Sequence, residues 1–102
     1  MSRLAIGKSG DEAHKFFQSA YKKYAAAIEI KSDLNETFNK WGLALTYQAL
    51  IKEGDEADTL FAKAGEKFAT AIEIKPNYYE AVVNWGKTLF HSYPVNADTY
   101  YI

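Results

Sequence analysis

No cysteine occurs among the 102 residues, so the chain has no disulfide framework, no thiolate metal site and no cysteine nucleophile. That absence leaves the redox compartment open. An excess of charge of either sign is also lacking: 12 Lys and Arg stand against 13 Asp and Glu, a formal net charge of -1. Phosphate contacts need Lys and Arg in excess on one face, so neither nucleic acid nor an anionic membrane is an expected partner. There is no run of about 18 apolar residues, and the stretch from Met1 to Gly7 is too short in apolar residues for a signal peptide. The sequence reads as a mature, soluble protein, cytoplasmic by default and without membrane insertion. Its length predicts one small domain that buries roughly two-thirds of the surface its unfolded chain exposes.

What the sequence does contain is a repeat of itself. Gly10-Asp11-Glu12-Ala13 returns as Gly54-Asp55-Glu56-Ala57, Ala27-Ile28-Glu29-Ile30-Lys31 as Ala71-Ile72-Glu73-Ile74-Lys75, and Trp41-Gly42 as Trp85-Gly86, all at an offset of 44. Aligned without a gap, residues 10–46 and 54–90 are identical at 17 of 37 positions. Within each copy the apolar residues step by three or four. Ala13, Phe16, Phe17, Ala20, Tyr24, Ala27 and Ile28 form one stripe, and Ala57, Leu60, Phe61, Ala64, Phe68, Ala71 and Ile72 form its counterpart.

Four helices are predicted, at about 10–31, 34–53, 55–75 and 78–91, with 1–9 as an N-terminal leader and 92–102 as an irregular tail. Ser9 with Glu12 fits a capping box, Asp55 opens an acidic first turn, and Asp33 with Glu36 or Asn77 with Glu80 recaps the following helix. Short connections at 32–34 and 76–78 make neighbouring helices antiparallel. Gly42 and Gly86 lie in mid-helix, where glycine costs about 1 kcal/mol against alanine, so each is expected to admit a close neighbour. Ala20, Ala27, Ala64 and Ala71 offer the matching shallow surface, and Trp41, Trp85, Phe17, Phe61, Tyr24 and Phe68 fill the space between helices.

Chemistry of a catalytic kind finds no constellation. His14 and His91 stand at opposite ends of the helical segment, and a histidine in a final turn complements the helix dipole. Asp11, Glu12, Asp55, Glu56 and Asp58 lie where capping alone places acids, without the spacing of a calcium loop. The glycines match no phosphate-binding pattern, so no cofactor and no metal are expected. Trp41 and Trp85 repeat in register beside a glycine, which is what core packing requires, although a ligand-stacking pair shares the pattern. Tyr78-Tyr79 and Tyr100-Tyr101 are candidate interface aromatics.

From Ala64 the chain reads alanine, three residues, Phe68, two residues, Ala71, four residues, Pro76 and then Gly86 ten residues on, and this resembles the tetratricopeptide repeat. The first copy has Ala20, Tyr24 and Ala27 at the same spacing, with Ser32 in place of the proline. The resemblance covers about residues 10–91, with a period of 44 against about 34 in the family. The extra residues fall between Gly42 and Ala64. It implies an all-α, antiparallel helix-turn-helix solenoid of about four helices, beginning with a second-type helix and ending with a first-type one, so that both terminal helices lack a repeat partner.

What the resemblance implies for function is a non-catalytic protein-interaction module that takes a partner peptide or helix on the concave face lined by the glycine-bearing helices. The residues it points to are Glu36, Asn39, Lys40, Leu43, Thr46 and Tyr47 on one helix and Glu80, Val83, Asn84, Lys87, Phe90 and His91 on the other. Asn84 stands where family members that clamp a chaperone's C-terminal carboxylate carry one anchor, whereas Asn39 and Leu43 replace the lysine and asparagine expected on the preceding helix. The alternative is an assembly subunit that self-associates as a homo-oligomer, or docks into a larger complex, through its uncapped terminal helices.

Overall fold

A computed structural model describes the backbone of residues 2–92 and the side chains of residues 10–92. The described residues form four helices and no strand: α1 (Ser2–Ile30), α2 (Asn35–Leu50), α3 (Gly54–Ile74) and α4 (Tyr79–Ser92). Helix α1 packs on α2, α2 on α3 and α3 on α4, while α2 and α4 also touch directly. The connections, residues 31–34, 51–53 and 75–78, are too short for anything but a reversal of direction, so the fold is the antiparallel all-α array that the repeat predicts.

The turns are built differently from the capping expected. Neither Leu34, which precedes α2, nor Glu53, which precedes α3, receives or gives a side-chain capping bond. The backbone closes the turns instead, with Asn35 N–H donating to the Asp33 carbonyl and Tyr79 N–H to that of Asn77. Gly54 adopts a φ of 60°, the left-handed region that a side chain disfavours, and this lets three residues reverse the chain between α2 and α3. Glu36, Asp55, Glu56 and Glu80 do occupy first turns, as the helix dipole favours. The leader expected at 1–9 is corrected: α1 begins at Ser2 and spans 29 residues, about 44 Å at 1.5 Å per residue. Ser9 and Gly10 are therefore interior to the helix, and Ser9 cannot be its cap. Of the tail expected at 92–102, Ser92 closes α4 and the remainder, including Tyr100-Tyr101, lies outside the described residues.

The core sits between α2, α3 and α4. Phe38 and Leu45 of α2, Ala64, Phe68 and Ala71 of α3 and Ala81 of α4 are buried together, with Trp41, Leu60, Ile72, Tyr78 and Trp85 packed around them. Phe68 has no exposed surface, and its ring lies directly on Gly42: a Cβ there would stand 2.6 Å from Phe68 Cε1. That is the close approach the sequence predicts for Gly42. The same expectation finds no partner at Gly86, around which no described residue lies within 4 Å. A third contact of this kind, missed in the sequence, involves Gly65, where a Cβ would stand 3.0 Å from Trp85 Nε1. In the first copy Tyr21 takes the place of Gly65, and its hydroxyl donates to Gln48 Oε1 at 2.7 Å, tying α1 to α2 by a polar contact instead of close packing.

Candidate partner-binding surface on α2 and α4

The glycine-bearing helices α2 and α4 run side by side, and a ladder of polar side chains holds them in register. Asn84 Nδ2 donates to Asn39 Oδ1 at 3.1 Å. Two turns further along α2, the Thr46 and Thr88 hydroxyls meet at 2.8 Å. Each threonine also lies 2.9 Å from a carbonyl of its own helix, Thr46 from Gly42 O and Thr88 from Asn84 O. Two hydroxyl hydrogens serve these three contacts, so whichever threonine donates across the interface gives up its intrahelical bond.

This ladder corrects part of the expected groove. Asn39 and Thr46, placed outward by the sequence, are buried, and Asn84 is half-buried with its amide committed to Asn39. The physical reason is that α2 has neighbours on three sides. Residues 39 and 46, seven apart, lie on the flank turned to α4, a flank that an isolated helix would leave in water. The pairs join residues 45 and 42 apart, two turns apart on α2 and one turn apart on α4, so the repeat offset of 44 does not mark them.

The remaining predicted residues separate into three groups. Glu36, Leu43 and Tyr47 of α2 and Glu80, Lys87 and His91 of α4 form two parallel strips, each spaced by seven and then four and each the register mate of the other at the offset of 44. All are exposed except Leu43, which is half-buried. Lys40 is exposed on the flank turned to α1, where it joins Phe16, Phe17, Tyr24, Leu43, Ala44 and Tyr47 around a pocket of about 230 Å³. Val83 and Phe90 lie exposed on the opposite, outer flank of α4, with the Phe90 ring edge-on to His91. Phe16, exposed, and Tyr24, half-buried, thus belong to this surface although the sequence places them on the apolar stripe of the first helix, whereas Phe17 is buried as the sequence expects.

Charge is unevenly spread along the strips. At the end where α2 and α4 begin, Tyr78 lies close to Glu80, Glu36 and Asn39. Burial raises the Tyr78 phenol above its ordinary range, the carboxylates of Glu80 and then Glu36 raise it further, and a hydrogen bond with Asn39 partly offsets them. The surface is therefore acidic at this end and carries Lys87 beside Leu43 part-way along, with Tyr47 and His91 beyond them.

A second cleft, of about 500 Å³, opens between α1 and α3 over the back of α2, lined by Gln18, Tyr21, Trp41, Gln48, Leu60, Lys63 and Lys67 among others. Trp41 stacks with Phe38 and carries the Lys67 ammonium 3.9 Å from its ring centroid, so it is half core and half cleft wall. Burial, with a smaller contribution from Tyr24, pushes the Tyr21 phenol in this cleft up to about 12. Among the described residues no group of three or more His, Asp and Glu is placed to hold a metal ion, and no helix is long and apolar enough to cross a membrane. Neither family models, curated proteins nor solved structures give a match to the chain.

Proposed function

We propose that the chain is a non-catalytic protein-interaction module of tetratricopeptide type, which takes a peptide or helix from a partner protein along the strips of α2 and α4. The observation that carries this reading is the alignment of Glu36, Leu43 and Tyr47 with Glu80, Lys87 and His91 on two helices locked in register by buried polar pairs. Side chains of mixed character on a rigid double-helix face present a preformed site, which lowers the ordering cost of binding. Selection of peptides from a random library tests it. Selected peptides are expected to lose affinity on the exposed substitutions Tyr47→Ala and Lys87→Glu and to retain it on Lys22→Ala in α1. Binding indifferent to the α2 and α4 substitutions would refute the groove.

A second role, as a subunit that self-associates or docks into a larger complex through its terminal helices, is favoured by the exposed strip of Val82, Gly86 and Leu89 on α4.

A further inference from the structure

The interface between α2 and α3 exists once among the described residues, and its two halves recur there, unpaired, on α4 and α1. The offset of 44 makes α4 the mate of α2 and α1 the mate of α3. On α2, Phe38 and Leu45 are buried, at 9% and 4% exposure, and Gly42 between them receives the Phe68 ring. Their mates on α4 are Val82 and Leu89, at 46% and 48% exposure, with Gly86 between them facing open space. Glycine in mid-helix weakens a helix, and among the described residues Gly86 has no contact to offset that cost.

The complementary half is on α1. Ala64, Phe68 and Ala71, the fully buried residues of α3 that meet α2, have Ala20, Tyr24 and Ala27 as their mates, and these are only partly covered. A shallow pocket formed by Phe16, Ser19, Ala20, Lys23 and Tyr24 opens on that face of α1.

We propose that copies of this chain associate head to tail, the outer face of α4 on one copy pairing with the outer face of α1 on the next, in the arrangement that α2 and α3 have within each copy. This deepens the second reading above and does not depend on the groove. The contacts follow from the offset. Tyr24 of the second copy takes the place of Phe68 and seats on Gly86. Lys23 of the second copy comes over Trp85 as Lys67 comes over Trp41. At the flank where Thr46 meets Thr88 within the chain, Phe90 meets Ala44 of the second copy. Ala44 belongs to the pocket of about 230 Å³ ringed by Phe16, Phe17, Tyr24, Lys40 and Tyr47, an apolar socket for an aromatic ring that is 68% exposed in the single chain.

A second copy is the occupant because the new interface continues an existing one. Second-type and first-type helices alternate through α1 to α4, and a further copy added after α4 begins with the type of helix that the alternation requires. The two faces differ from one another, so the contact is heterologous, and it extends into linear arrays unless its rotation closes a ring.

Two single substitutions test this, each blocking one face. Gly86→Leu fills the site on α4 in open space, and Ala20→Arg blocks α1 at the mouth of its shallow pocket. Sedimentation velocity over a wide concentration series is expected to show the wild-type chain growing beyond dimer. Each variant alone should stay monomeric, with association weakened at least about thirtyfold, the range for buried hot-spot residues. Circular dichroism of each variant confirms that it is folded. An equimolar mixture of the two variants leaves one intact face of each kind and should give dimers and nothing larger. A wild-type chain that stays monomeric throughout overturns the proposal together with the second reading. Assembly that persists in either variant, or a mixture that fails to dimerise, overturns the α4-to-α1 contact while leaving self-association by another face standing.

Discussion

Gly42 and Gly86 are the same residue of the repeat in opposite surroundings, so one substitution made at each separates local propensity from tertiary packing. Alanine is favoured over glycine in a helix interior by about 1 kcal/mol at both positions. At Gly42 the added Cβ would stand 2.6, 2.8 and 2.8 Å from three atoms of the Phe68 ring. Phe68 has no exposed surface and is enclosed by Ala64, Ala71 and Leu45, so the ring has nowhere to retreat without moving α3. Overpacking of this kind costs about 1–3 kcal/mol, and forced contact with three ring atoms belongs in the upper half of that range. The propensity gain is overridden, and Gly42→Ala is expected to destabilise the fold by about 1–2 kcal/mol. At Gly86 no described residue lies within 4 Å, so Gly86→Ala keeps the whole gain and is expected to stabilise a monomeric sample by about 0.5–1 kcal/mol. In a domain of this size about 1 kcal/mol moves the Tm by about 4–8 °C, so thermal melts at dilute concentration resolve the two signs. Shifts of the same sign in both variants would refute the placement of Phe68 on Gly42.

The remaining tests probe the polar ladder, the core and the cleft. Asn84→Ala leaves the Asn39 amide buried without its α4 partner and is expected to cost about 1–3 kcal/mol in urea unfolding, whereas a loss below about 0.5 kcal/mol would show that the pair does not hold α2 to α4. Phe68→Ala empties the centre of the core and is expected to cost about 3–5 kcal/mol, a large share of the stability of a small domain, with loss of near-ultraviolet dichroism as the readout. Stability is also expected to fall in alkali through Tyr21. Its folded pKa of about 12 lies above the ordinary value of 10.0, so the unfolded chain ionises first and stability declines as pH rises through that interval. Two units correspond to about 2.7 kcal/mol, which partial solvent exposure reduces to about 1–2 kcal/mol, and Tyr21→Phe should remove that part of the decline between urea melts at pH 9 and pH 11.5.

Much of this protein is legible in one sequence because its information is periodic. The offset of 44 and the stripes through Ala64, Phe68 and Ala71 fix four helices and their antiparallel order, since each stripe must be buried and each connection is short. Periodicity states which face of its own helix a residue occupies, and there its reach ends. Asn39 and Thr46 fall at the margin of the outward face of α2, and only the position of α4 decides that they are buried. Ser9 with Glu12 satisfies the local pattern of a cap, yet α1 runs through them from Ser2, because nothing in that pattern stops a helix from starting earlier. Gly42 and Gly86 are indistinguishable as letters in a repeat. The tertiary structure alone covers the first with an aromatic ring and leaves the second bare, because burial belongs to the pair of surfaces that meet and a sequence specifies each surface separately.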